Sequence, residues 1–527
     1  MSFLLVTTGG AGFLLGALVK PSWQVSVESG QALAGLVTYP AGNAFYIYHL
    51  KLWTIVNQLS ALALTVGFSE RTLSILVSGA IAALSYCAVG LCAFATSRNA
   101  WWAIAAPFLL DFTQAREALA VTYPMDFMGT PHTYGVVGLA WTLLTISLLA
   151  LERYTAGGIF LGLAPAVHPS MGAWCWLTLL LVFAWSGRRA SKMIRGVSKS
   201  ACVGLAIAAA SFLTQFALMR NVVPEVDPQT QARFVSEWVS FFDYHRRKID
   251  FGWPGVRLTM AAAVIALYLI PLWNAARDRA TPFLLRIIVV ASAVALLAAA
   301  ISRLPASSVP PRILMLMPTR VFLLANLTAA AALFGVLGRF PAVGSRIGPR
   351  RGESASRWIG VLAGVVLAAF IGQRVIDRVR SSAGTSAMVD YTSSPVLASA
   401  STTPGLILVG TECCALTQLR TRRPVLVETG GLDQIMYAPE SAPAMNEALK
   451  AVYGVDLLRP QEILRSPAFN EDLTPVTRPL WEARSPEEWK NLADAFGFTA
   501  VLTNPNWTLK LPEVRRDSEY ALYRLPP

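Results

Sequence analysis

The chain has 527 residues, of which 54% are hydrophobic and 14% charged, with a mean hydropathy of +0.50 and a net charge of +13. A soluble domain carries about 25% charged residues. A deficit this large, gathered into long apolar runs, predicts an α-helical polytopic membrane protein and excludes a soluble nucleic-acid binder; a positive excess of this kind goes with cytoplasmic loops and lipid headgroups.

The Lys/Arg distribution assigns the N-terminus to the cytoplasm. Residues 3–19 form a first span with neither a basic leader nor a cleavage site, so it reads as retained. Residues 20–71 follow as a long outer loop with one acid near its start, Glu28, and then aromatic, amphipathic sequence through Tyr39, Phe45, Tyr46, Tyr48, His49 and Trp53. Residues 50–68 are apolar enough to cross, but counting them as a span reverses every later loop. They read instead as an embedded or surface helix.

Residues 72–95 and 101–110 are the second and third spans, joined inside at Ser97-Arg98-Asn99. A second outer loop, 111–132, holds Asp111, Glu117, Asp126 and His132; residues 134–151 then return to Glu152-Arg153 inside. Residues 156–185 are long for one crossing, which needs about 20 residues. His168-Pro169 interrupts them, and the two facts together predict a hairpin of two short segments. Arg188, Arg189, Lys192, Arg195 and Lys199 mark the next inner loop. Residues 201–219, 258–276, 282–301, 321–337 and 358–372 complete about eleven spans. Outer loops then fall at 220–257 and 302–320, and inner loops at 277–279 and 339–357.

The transmembrane domain is therefore 1–372, and 373–527 leaves to the outside. That tail alternates β-like runs (406–409, 424–427, 499–502) with helical ones and predicts a small soluble α/β domain. Ser485-Pro486-Glu487-Glu488 is a helix start, with a capping serine, a first-turn proline and acids at the positive end of the dipole. Residues 442–454 also read as helix. Cys87, Cys92, Cys175 and Cys202 lie in apolar runs, where thiols behave as small hydrophobes. Cys413-Cys414 are adjacent and bond to each other only with strain. No zinc-ligand spacing occurs.

Chemistry is expected in the outer loops. Glu28 is the candidate general base that takes a proton from an acceptor hydroxyl; a solvated loop carboxylate is the competing reading. Asp111 and Asp126 offer a second catalytic carboxylate, although Asp111 also reads as a helix-end cap. Two carboxylates from separate loops could divide base and positioning roles or hold a divalent cation, Mg or Mn. Arg303, Arg312 and Arg320 lie in the fourth outer loop with no acid among them. Arginine pairs with phosphate through a rigid fork of donors, so these three are the candidate phosphate-binding residues, against ordinary headgroup contact. All four histidines, His49, His132, His168 and His245, fall on the outer side. His132, His168 and His245 join the substrate-binding set, with chance placement near helix ends as the alternative.

This layout resembles the GT-C superfamily of integral membrane glycosyltransferases. The shared features are a first span followed by a long acid-bearing outer loop, a second acid-bearing outer loop before span four, a Gly-rich fifth span (Gly157, Gly158, Gly162) and an outward C-terminal α/β domain. The resemblance implies a bacterial inner-membrane enzyme with a polyprenyl-phosphate-linked sugar donor and a cell-envelope glycan, lipid or protein as acceptor. Transfer would occur on the extracytoplasmic face with inversion. Glu28 then matches the first-loop acid and Asp111 or Asp126 the second-loop acid. The chain departs from the pattern in carrying Glu where many members have Asp, and in having no Asp-x-Asp pair in either loop, which bears on metal dependence. A lipid-linked glycan transporter or polymerase, or a non-catalytic assembly partner on the same scaffold, are the alternatives. A transporter would show matching broken helices in two halves, a symmetry not evident here.

Overall fold

The computed structural model describes residues 1–112, 119–121, 127, 133–187, 191–220, 222–243, 248–274, 278–305, 308–338, 394–411, 416–428, 432, 434–465 and 472–525. The first helical stretch is α1 (Ser2–Leu14), which continues through a π turn, Leu15–Val19. Three short helices follow: α2 (Val25–Leu33), α3 (Ala44–Lys51) and α4 (Ile55–Thr65). Then come α5 (Glu70–Ser97), α6 (Ala100–Phe112), α7 (Thr133–Ala150), α8 (Tyr154–Val167), α9 (Pro169–Ser186) and α10 (Ser191–Met219). The helical part ends with α11 (Pro228–Phe241), α12 (Pro254–Asn274), α13 (Ala280–Ile301), α14 (Pro311–Met315) and α15 (Arg320–Leu337).

Among the described residues, seven helices are long and apolar enough to cross a membrane: Ser2–Val19, Glu70–Ser97, Pro169–Ser186, Ser191–Met219, Pro254–Trp273, Ala280–Ile301 and Ile313–Leu337. Three more of the expected crossings are shorter apolar helices, Ala100–Asp111, Tyr134–Ala150 and Tyr154–Val167. The eleventh, 358–372, lies outside the described residues, as does the start of the tail at 373. The shortfall is one of length: the 14 residues of α8 rise about 21 Å against a hydrocarbon core of about 30 Å. The stretch read as a non-crossing helix is α4, only 11 residues long.

The hairpin at His168 is present. Trp176 Nε1 donates to the Leu161 carbonyl at 3.1 Å. In one continuous helix those residues would stand about 22 Å apart, so α8 and α9 fold back on each other. The Gly-rich run of α8 is a packing surface. A Cβ on Gly162 would lie 2.2 Å from the Ala201 carbonyl oxygen, and one on Gly204 would lie 2.3 Å from that of Ile159. Only hydrogen at both positions lets α8 and α10 approach backbone to backbone, as small residues do between membrane helices. The opposite face of α10 is bare, with Val203, Leu205, Phe212, Leu213 and Phe216 exposed.

Two sets of loops segregate to opposite ends of the bundle. Arg98 pairs with Asp278 at 3.4 Å, Lys192 with Glu152 at 3.4 Å, and Arg279 with Glu152 at 3.9 Å. These exposed pairs contribute little stability, but they join four loops that the sequence assigns to one side. The other set meets the C-terminal domain. Lys51 pairs with Glu440 at 2.8 Å, Arg422 with Glu70 at 2.6 Å, and Arg465 with Glu237 at 3.7 Å. Tyr437 donates to Met317 Sδ at 3.6 Å. Helices α2, α3 and α4 thus lie beneath this domain, where the sequence had suggested a long outer loop with an embedded or surface helix.

The C-terminal domain contains α16 (Pro395–Thr402), β1 (Leu406–Val409), α17 (Thr417–Thr421), α18 (Gln434–Tyr437), α19 (Ala442–Ala448), α20 (Thr474–Ala483), α21 (Pro486–Phe496), β2 (Phe498–Thr503), β3 (Glu513–Arg516) and β4 (Ala521–Arg524). Its sheet has the order β1-β2-β4-β3, with β1 parallel to β2 and the other pairs antiparallel. Buried Trp481 packs edge to face on Trp489 and Trp507, with centroids 5.3 and 5.5 Å away. The start of α21 is the expected one, a reciprocal capping box between Ser485 and Glu488. The expected helix over 442–454 is α19 closed by a π turn, Leu449–Tyr453. The run 424–427 is not a strand. It makes one parallel bridge, Ile407 to Val425, because Pro424 has no N–H to extend the ladder.

Candidate functional site beneath the C-terminal domain

Helix α2 is buried on almost every side. A Cβ on Gly30 would strike Ser60 of α4 at 2.8 Å. Gln24 Nε2 donates to Ser78 of α5 at 2.9 Å. The C-terminal domain roofs the remaining face through α17: Gln418 Nε2 donates to the Glu28 carbonyl at 2.9 Å, and Gln31 Nε2 donates to the Leu419 carbonyl at 3.0 Å. Glu28, in the first turn of α2, is left 4% exposed.

The side chain of Glu28 faces that of Glu428, itself 3% exposed, and the two carboxyls interact electrostatically. Glu428 Oε1 accepts from the Leu416 backbone N–H. Glu28 Oε1 and Glu428 Oε2 have no hydrogen-bond partner. Burial, and then the charge of Glu428, push the Glu28 carboxyl far above the usual carboxylate range; the Leu419 backbone opposes this without overcoming it. Burial raises Glu428 to about 7, against the pull of the Leu416 N–H, the Glu28 hydroxyl and the Arg420 charge. Two carboxyls facing each other in a buried site disfavour ionising together, so the pair retains a proton that belongs to both.

Around this pair lies a polar network. Ser29 Oγ stands 3.0 Å from His49 Nδ1 and 3.2 Å from the Tyr134 hydroxyl, which donates to the Val25 carbonyl at 3.3 Å. Burial drives the His49 imidazole down to about 3, so it is neutral. The Tyr39 hydroxyl donates to Gln418 Oε1, and burial followed by the Glu28 charge holds its own proton on tightly.

Tyr134 leads to a second pair. One turn along α7, a Cβ on Gly138 would lie 2.7 Å from the His168 side chain, and neighbours at that spacing are about 5–6 Å apart. His168 caps α9, and its Nε2 receives a 2.7 Å hydrogen bond from Arg320 Nη1 at the start of α15. Guanidinium has no acceptor, so His168 Nε2 presents a lone pair to Arg320, while Nδ1 accepts from the Met171 backbone N–H at 3.3 Å and lies 3.2 Å from Ser170 Oγ.

Of the sequence-derived candidates, Glu28, His49, His168 and Arg320 gather at this end of the bundle. Arg303 is engaged elsewhere, donating to the Ile249 carbonyl at 3.2 Å with its guanidinium 5.0 Å from the Phe251 ring centroid. Arg312 belongs to α14, but its side chain lies outside the described residues, as do Asp126, His132, His245, Glu117 and Cys413-Cys414. Asp111 is not brought to Glu28. It accepts from the Tyr86 hydroxyl at 2.8 Å, whereas Gln31 holds Glu70 at 3.2 Å, and Glu70 and Tyr86 are about 24 Å apart along α5. Sequence reasoning missed Glu428, Tyr134, Gln418 and Tyr39. The available signal for Glu428 was an acid closing the apolar run Val425-Leu426-Val427.

Among the described residues, no group of three or more His, Cys, Asp or Glu side chains is placed to hold a metal ion. No family model matches the chain, and no curated protein does.

Proposed function

We propose that the chain is a GT-C-like membrane glycosyltransferase that moves a sugar from a polyprenyl-phosphate donor to a cell-envelope glycan, lipid or protein at the extracytoplasmic end of its helices. The observation that carries this reading is the Glu28–Glu428 pair: two buried carboxyls facing each other, linked through Ser29, Tyr134 and the first turn of α7 to the Arg320–His168 pair. Once deprotonated, Glu28 takes the acceptor hydroxyl's proton as that oxygen bonds the anomeric carbon. The bond from that carbon to the donor phosphate breaks, and its electrons leave on the polyprenyl phosphate. The Arg320 guanidinium offsets the charge that develops there, held in orientation by His168. A single displacement of this kind inverts the anomeric centre. The second carboxyl is Glu428, from the C-terminal domain, in place of a second-loop acid.

One observation favours a second reading, a non-catalytic assembly scaffold: Glu28 is roofed by Gln418 and Leu419. The test is transfer in membranes containing the chain, supplied with a panel of polyprenyl-phosphate hexoses and pentoses. Glu28→Gln is expected to abolish the transfer seen with the native chain. Undiminished transfer in that variant removes the proposed base, and no transfer with any donor by the native chain favours the scaffold.

A further inference from the structure

We infer that the C-terminal domain is a pH-sensitive lid over α2, latched by the proton that Glu28 and Glu428 share. The latch is geometric before it is electrostatic. One carboxyl comes from α2 and the other from the C-terminal domain, both are more than nine-tenths buried, and each keeps one oxygen with no partner. With the proton in place the contact is a neutral acid donating to a carboxylate. Without it, two anions face each other in a site shielded from water, and that arrangement is strongly disfavoured.

The surrounding groups leave the pair to set the response. Tyr39 and Tyr134 face Glu28 as neutral hydroxyls, and His49 is neutral. Arg420 faces Glu428 but also donates to the Tyr520 hydroxyl at 2.8 Å. Glu70 is matched by Arg422. The ordinary value of each carboxyl is 4.5, and both are raised when the lid is seated. A raised acid favours the seated form while it is protonated. Seating is therefore fully present below about pH 4.5 and is lost as pH rises through the raised values of the pair, about 7 for Glu428. Opening uncovers Glu28 in the ionised form that the transfer reaction needs. That consequence rests on the proposed function; the latch itself does not.

The experiment is hydrogen–deuterium exchange on the full chain in nanodiscs between pH 5 and pH 9. The backbone amides of Thr417–Thr421 are read against those of Phe498–Thr503, which cancels the intrinsic pH dependence and reports whether the domain stays folded. Protection of α17 relative to β2 is expected to fall at least about tenfold over this range, and to stay constant in the double variant Glu28→Gln/Glu428→Gln. Constant protection in the native chain overturns the latch whether or not the variant folds. So does an equal fall in a folded double variant. Neither readout depends on transfer activity, so loss of the latch and loss of the enzymatic reading are separate results.

Discussion

Glu28 and Glu428 face each other across the boundary between the helical bundle and the C-terminal domain, and the Leu416 backbone amide, just before α17, donates to the latter's carboxylate. The relationship unites the only acid in the first half of the first loop with an acid near the end of a strand-like run, far away in sequence. Its consequence is that neither carboxyl titrates as an isolated side chain.

Arg320→Lys keeps the charge but loses the planar fork, and lysine cannot hold both His168 and a phosphate oxygen in fixed geometry. The expected result is a fall of about tenfold in kcat, about 1.4 kcal/mol, with a smaller rise in the KM for the polyprenyl-phosphate donor. Steady-state kinetics with varied donor check it.

Gly162→Leu forces side-chain volume into a crossing where even a Cβ would meet the Ala201 carbonyl at 2.2 Å. Overpacking costs about 1–3 kcal/mol or more, and the variant should aggregate at a distinctly lower temperature in detergent. Gly10→Ala is the control. A Cβ there meets nothing within 4 Å, and alanine is the better helix former by up to about 1 kcal/mol. Size-exclusion after a temperature series should separate the two.

Trp481→Ala removes a fully buried ring that contacts two other tryptophans and donates to the Val452 carbonyl at 2.8 Å. Truncations of this kind cost about 3–5 kcal/mol. Protection of the β2 amides should fall while that of the α13 amides is unchanged, as measured by hydrogen exchange on the full chain.

What could be read from the sequence was mostly local. Pro169 after His168 marked the hairpin, and Ser485 and Glu488 marked a cap. Pro424 misled, since β-like side chains surround a residue that cannot extend a ladder. β3 escaped notice because Glu513, Arg515 and Arg516 make it polar and wholly exposed, as edge strands often are. The Gly-rich run of α8 supported the resemblance, but its work here is helix packing. The site was legible only in halves. Glu28 stood out as a lone acid, and Arg320 as part of an acid-free cluster. The Glu428 pairing depends on how two distant segments dock, which no periodicity or spacing encodes.

The account turns on one proton shared by two carboxyls, and the pH dependence of kcat/KM for transfer tests that most directly. In the native chain the acid limb should lie well above the ordinary carboxylate range, because burial, and then the charge of Glu428, raise the Glu28 carboxyl. Glu428→Gln removes the charge and leaves the burial, so the limb should move to lower pH. Superimposable limbs in the native chain and Glu428→Gln would contradict the shared proton and the role given to Glu28 with it.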